Sequence, residues 1–169
     1  MSVHELFPYI RVRGADAAIA FYVEVFGARE RARLTDPGDG RVGHAELCLG
    51  PTFVLMISDE YPEYDILGPQ SLGRATMGVH LHVDDCDAVV ARAVAAGAKV
   101  LRPPTDQFYG ERSATIVDPW GCEWMIGHSI ETLETQNTDR LDFHDVAVWA
   151  VRAALEAAYA AGVAAAAKR

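Results

Sequence analysis

Residues 108–128, FYGERSATIVDPWGCEWMIGH, constrain the fold more than any other stretch of this chain. Arg112 to Val117 alternates and is β-branched, which predicts a strand. Asp118-Pro119-Trp120-Gly121 follows as a turn, because Pro119 presets φ at the first central position and Gly121 accepts a positive φ. Glu123 to Gly127 is then a second short strand, and its alternation turns Trp124 toward covering helices. Such a hairpin suits the closing element of one half of a small cup.

The rest of the chain supplies two halves of the same kind. Leu6 to Val12 alternates around Pro8, with Leu6, Ile10 and Val12 on one side and Phe7, Tyr9 and Arg11 on the other. Asp16 is the expected N-cap of a helix running through Phe26, and Gly27 is its C-cap. Arg29 to Leu34, His44 to Leu49 and Phe53 to Ser58 read as strands, which makes the first half βαβββ. Residues 59–76, with Pro62, Gly68, Pro69 and Gly73, suit a long linker over the mouth of a site. Gly78 to Val83 alternates again, Asp84 to Gly97 is a capped helix, Lys99 to Arg102 a strand and Pro103 to Gly110 a loop before the closing hairpin. Placing Asp16 on Asp87 gives an offset of 71 residues (87 − 16), which also sets Tyr9 on His80 and Ile10 on Leu81. The chain is therefore read as an internal duplication.

Composition removes several functions. Fifteen Lys and Arg against 24 Asp and Glu leave a formal charge of −9, which disfavours nucleic acid and anionic membranes as partners. Cys48, Cys86 and Cys122 are odd in number and lack a Cys-x-x-Cys spacing, so reduced core thiols are expected rather than disulfides or structural zinc. MSVHELFPYIRV carries no secretory pattern, and the expected location is cytoplasmic. The sequence has no Gly-x-Ser-x-Gly elbow, no phosphate-binding Gly-x-x-x-x-Gly-Lys loop and no dinucleotide-binding glycine pattern. After Ser129, residues 139–169 predict an alanine-rich helix with Asp139, Asp142 and Asp145 early and Lys168 and Arg169 last. Its stripe of Val148, Arg152, Leu155, Tyr159 and Val163 suits packing on the domain or on a partner subunit.

FYGERSATIVDPWGCEW, with VHLHVDDCDAVVARAVAAGAKVLRPPTD and YIRVRGADAAIAFYVEVFGA upstream, resembles the glyoxalase/bleomycin-resistance group of the vicinal oxygen chelate superfamily, most closely its PhnB-like branch. The resemblance implies an α+β fold of two paired βαβββ modules, residues 5–60 and 76–130 of a domain spanning 1–130, whose mixed sheets form a cup. Residues 131–169 are a C-terminal helical extension outside that resemblance. Pairing of the modules within one chain or across a homodimer is left open.

The resemblance also implies where a metal would sit in metal-dependent members: Phe7, Met56, Gly78 and Met125 by strand register. None of these offers a hard oxygen or an imidazole, although the thioethers of Met56 and Met125 suit a soft ion. The leading expectation is therefore a small-molecule binding protein without a metal cofactor, taking an aromatic or cationic metabolite or antibiotic. Its expected ligand contacts are Phe7, Tyr9, Arg11, Met56, His80, His82, Phe108, Tyr109, Arg112 and Met125. Phe7, Tyr9, Phe108, Tyr109 and Trp120 are candidates for an aromatic wall, and Arg112 for a bidentate grip on a carboxylate or phosphate unless it pairs with Glu111 or Asp118. The alternative is a lyase, isomerase or dioxygenase with a relocated divalent metal. His80-x-His82 places two imidazoles on one strand face, and Glu123, or Glu46, is the carboxylate expected to join them.

Overall fold

The computed structural model describes residues 2–130 together with residues 155, 156, 158 and 159. In the first module, β1 (Tyr9–Val12), α1 (Ala15–Phe26), β2 (Arg29–Thr35), β3 (Val42–Leu49) and β4 (Phe53–Asp59) form a four-stranded sheet in the order β1-β4-β3-β2. A linker with a 3-10 turn at Pro62–Tyr64 and a short helix α2 (Pro69–Leu72) leads to β5 (Gly78–His82), α3 (Cys86–Ala95), β6 (Lys99–Gln107), β7 (Glu111–Val117) and β8 (Glu123–Ser129). These strands form a second sheet in the order β5-β8-β7-β6. The result is the expected α+β fold of two βαβββ units. The duplication is visible in the register, since Tyr9 lies opposite Met56 across the parallel β1/β4 pair and His80 opposite Met125 across β5/β8.

Alternation decides which face of each sheet is covered. Val12, Leu47, Leu55 and Ile57 of the first sheet and Ile116, Trp124 and Ile126 of the second are buried in one continuous core with Tyr22 and Val25 of α1 and Val89, Val90 and Ala93 of α3. Trp124 is fully buried, its ring centroid 4.7 Å from Phe26 and 5.1 Å from Tyr22. Asp118, at the turn between β7 and β8, ties this contact together. It accepts hydrogen bonds from the Tyr22 hydroxyl (2.7 Å), the Trp124 indole (2.9 Å), and the amides of Cys122 (2.9 Å) and Trp120 (3.0 Å). Burial, reinforced by the Asp118 carboxylate, holds the Tyr22 hydroxyl well above its ordinary pKa. The DPWG turn thus joins the second sheet to the helix of the first module.

Three local expectations are corrected. The N-cap of α1 is Gly14 at φ 82°, not Asp16, and the buried Asp59 at the end of β4 accepts from the amides of Gly14 (2.8 Å), Ala15 (2.9 Å) and Val42 (2.7 Å). Asp16 instead lies in the first turn and pairs with Arg33. β6 continues through Pro103 and Pro104 to Gln107, because it is an edge strand whose register shifts after Val100 and again after Arg102. Strand β1 begins at Tyr9, so Leu6 to Pro8 lie outside it. Gly27 does end α1, at φ 66°. Of the predicted C-terminal helix, Leu155, Glu156, Ala158 and Tyr159 are helical, with Leu155 and Tyr159 exposed, and the remainder lies outside the described residues.

The linker is pinned rather than loose. Glu60 accepts from the Gly68 amide (2.7 Å) and the Ser71 hydroxyl (2.8 Å), and a Cβ at Gly68 would stand 2.1 Å from the Arg11 carbonyl oxygen. That close approach of two backbones requires glycine.

Candidate functional site

With Val79 and Leu81 turned to the core, the open face of the second sheet presents Gly78, His80 and His82 from β5, Glu123, Met125 and Gly127 from β8, and Glu111 from β7. His80 and His82 are stacked, with ring centroids 5.3 Å apart. The carboxylate that reaches them is Glu111, not Glu123 or Glu46: its Oε1 lies 3.3 Å from Nε2 of each histidine. The three donor atoms lie within 4.8 Å of one another. The Glu111 side chain is 5% exposed, whereas the imidazoles are 43% and 45% exposed. Glu111 Oε1 is buried and makes no hydrogen bond.

This approach depends on a missing side chain. Glu111 is on β7 and the histidines on β5, with β8 between them. At the crossing point β8 carries Gly127, where a Cβ would stand 1.8 Å from Glu111 Oε1. The available signal in the sequence was a glycine inside a strand, which often marks such a close approach. Glu111 itself was legible only as a neighbour of Arg112.

The corresponding face of the first sheet carries a different network. The Tyr9 hydroxyl and His44 Nδ1 are 2.9 Å apart, His44 Nε2 lies 3.6 Å from Glu46, Glu46 pairs with Arg31 at 3.5 Å, and the Arg11 guanidinium stacks 4.6 Å from the Tyr9 ring centre. Of the positions inherited from metal-dependent relatives, Phe7 lies outside β1, Met56 lies opposite Tyr9 and Met125 opposite His80, and a Cβ at Gly78 would meet Met125 Cε at 3.1 Å. These residues, with Phe7, do not fit a borderline or hard divalent ion, which takes nitrogen, oxygen or thiolate donors.

Two recesses flank β5. A groove of about 600 Å³ is lined by Leu6, Phe7, Pro8 and Phe26, by Leu49 to Leu55 around the β3–β4 turn, and by Val79 to Val83. Its histidines are His80 and His82. A smaller cleft of about 160 Å³ lies between β1, β5 and the linker and includes Tyr9, Arg11, Leu67, Pro69 and Glu123. Linker residues Leu67, Gly68, Pro69 and Leu72 line this cleft, whereas no linker residue lines the groove. The other expected contacts lie apart. Arg112 points to the helix side, where it pairs with Asp87 and Asp106 rather than Glu111 or Asp118. Phe108 is almost fully exposed at the β6–β7 turn against Tyr109. Trp120 packs edge-on to Phe21 in the core, so the five aromatics do not form one wall. All three cysteines are free thiols. Burial pushes Cys86 up to about 11 and Cys122 up to about 12.

A family model described as the Glyoxalase/Bleomycin resistance protein/Dioxygenase superfamily matches residues 3–126, and a family of unknown function, DUF6900, matches residues 127–166. The uncharacterized protein Mb0911c of Mycobacterium bovis is 38% identical over 128 residues, covering 74% of this chain and 83% of that protein. Among solved structures, PA1353 from Pseudomonas aeruginosa is similar at a TM-score of 0.62 and 25% identity, covering 75% of this chain and 98% of its own. TnmS3, an antibiotic binding protein from Streptomyces sp. CB03234, shares the fold at 0.57 and 23%, covering 76% and 98%. A PhnB protein from Bacillus cereus shares it at 0.61 and 17%, covering 75% and 100%. The duplicated βαβββ architecture and the match over residues 3–126 place this chain in the glyoxalase/bleomycin resistance/dioxygenase superfamily.

Proposed function

We propose that this protein binds an aromatic or cationic small molecule in the groove beside β5. The observation that carries the proposal is the groove itself: about 600 Å³, walled mainly by apolar side chains including Phe7, Phe26, Phe53 and Leu81, with His80 and His82 as polar handles. That size and character match small-molecule sites, in which a few polar groups orient a ligand held by apolar contact. The formal charge of −9 favours a cationic guest. An antibiotic binding protein, TnmS3, is built on the same fold, which supports the choice of ligand class. The binding needs no ion at Phe7, Met56, Gly78 or Met125, so it is expected in chelator-treated protein.

The test is a thermal-shift screen of chelator-treated protein against bleomycin, planar aromatic cations and neutral aromatic metabolites. A true ligand at about 100 times its Kd stabilises the fold by about 2.7 kcal/mol. Phe53→Ala and Leu81→Trp are expected to weaken the shift, and Arg112→Gln to leave it intact. A panel in which nothing shifts the wild type, or a shift indifferent to both groove substitutions, defeats the proposal. We also propose a cytoplasmic homodimer without nucleic-acid or membrane partners. Exposed apolar residues away from the groove, such as Leu34 (67%) and Leu101 (56%), support the dimer, and no helix among the described residues is long and apolar enough to cross a membrane. A monomeric mass by light scattering removes the dimer.

A further inference from the structure

We infer that His80, His82 and Glu111 form a divalent-metal site, separate from the positions used by metal-dependent relatives, which takes a borderline transition ion of the Zn²⁺ or Fe²⁺ class. The first ground is spacing. Two ligands about 2.1 Å from one tetrahedral ion stand about 3.4 Å apart, and Glu111 Oε1 stands 3.3 Å from Nε2 of both histidines. With all three atoms inside 4.8 Å, the remaining adjustment is a tilt of the two half-exposed imidazoles toward each other.

The second ground is the state of the carboxylate. Glu111 Oε1 is buried and without a hydrogen bond, an arrangement that is costly for a polar atom and that a coordinated cation relieves. The third is Gly127, whose lack of a Cβ is what lets the carboxylate cross β8, since any side chain there would meet Oε1 at 1.8 Å. Two imidazole nitrogens and one carboxylate suit Zn²⁺ or Fe²⁺ rather than Mg²⁺ or Ca²⁺, which prefer an all-oxygen shell. Because the imidazoles are 43% and 45% exposed, the remaining coordination positions face solvent and are open to water or an exogenous ligand. The site does not depend on the groove reading, which is tested with the metal stripped.

Full-length protein, freed of metal by chelator and exchanged into clean buffer, is titrated with Zn²⁺ by calorimetry and with Co²⁺ by visible absorption. One equivalent per chain is expected, with Co²⁺ bands of a low-coordinate nitrogen and oxygen site. Glu111→Gln, Gly127→Ala and the pair His80→Gln, His82→Gln are each expected to weaken binding by more than the roughly 10–100-fold that loss of an outer partner causes. Met56→Leu, Met125→Leu and His44→Gln are expected to bind as the wild type does. Circular dichroism reports folding. Should Glu111→Gln or Gly127→Ala fail to fold, the exposed histidine pair carries the test alone. Absence of stoichiometric uptake by the wild type, or uptake retained in the histidine double variant, overturns the assignment.

Discussion

Replacing Asp118 by alanine is the sharpest test of how the two modules are held together. Its carboxylate, 4% exposed, accepts four hydrogen bonds at 2.7–3.0 Å, two of them from the Tyr22 hydroxyl and the Trp124 indole. The substitution strands those two donors, each at about 1–3 kcal/mol, and frees two turn amides. Such losses are not additive, and breaking a buried charged network typically costs about 3–5 kcal/mol. With a urea m-value of about 2 kcal/mol/M, the midpoint falls by roughly 1.5–2.5 M. Asp118→Asn keeps one acceptor oxygen but presents an amide group to a donor, and is expected to fall between alanine and wild type. Reversible urea unfolding followed by tryptophan fluorescence and far-UV circular dichroism measures the shift. Asp87→Asn, which loses only the exposed pair with Arg112, serves as the control and leaves the midpoint in place. A loss below about 1 kcal/mol in the alanine variant would refute the role given to Asp118.

Other predictions concern the linker and the thiols. For Glu60, burial raises the carboxyl, but the Ser71 hydroxyl, the Gly68 amide and Arg13 outweigh it, so the pKa is held below the ordinary 4.5. Its stabilisation is therefore full above pH about 4.5 and lost as pH falls through the depressed value. The Gly68 amide resonance should titrate with a midpoint under 4.5, and Glu60→Gln should abolish that titration; a midpoint at or above 4.5 contradicts the argument. Gly68→Ala drives a methyl group into the Arg11 carbonyl and should release residues 66–72, seen as faster amide exchange there with the core unchanged. Iodoacetamide at pH 8 should modify the half-buried Cys48 of the folded protein before Cys86 or Cys122, whose thiols are pushed up to about 11 and about 12. Early labelling of Cys122 would contradict its burial.

Much of the architecture was legible in local pattern. Strict alternation announced the strands, Gly27 the end of α1, and the DPWG turn the closing hairpin, because each depends on backbone preferences within a few residues. The duplication was equally readable, since Tyr9 and His80 occupy matching places in parallel pairs. Side-chain partnerships were less so. Asp16 had the local chemistry of a cap, yet Asp59 from β4 performs that task. Arg112 had acids beside it in sequence and pairs instead with Asp87 across the helix.

The sequence by itself determined the two βαβββ halves, the side of β5 on which His80 and His82 lie, and the lack of nitrogen or oxygen donors at Phe7, Met56, Gly78 and Met125. Only the tertiary structure decided that Glu111 rather than Glu123 meets the histidines, and that the principal groove runs along β5 against the β3–β4 turn. The reason is that period and turn chemistry act along the chain, whereas a contact across three strands depends on the order in which they pair and on what fills the strand between. Here that strand presents Gly127, and the gap over one glycine is what brings the carboxylate to the imidazoles.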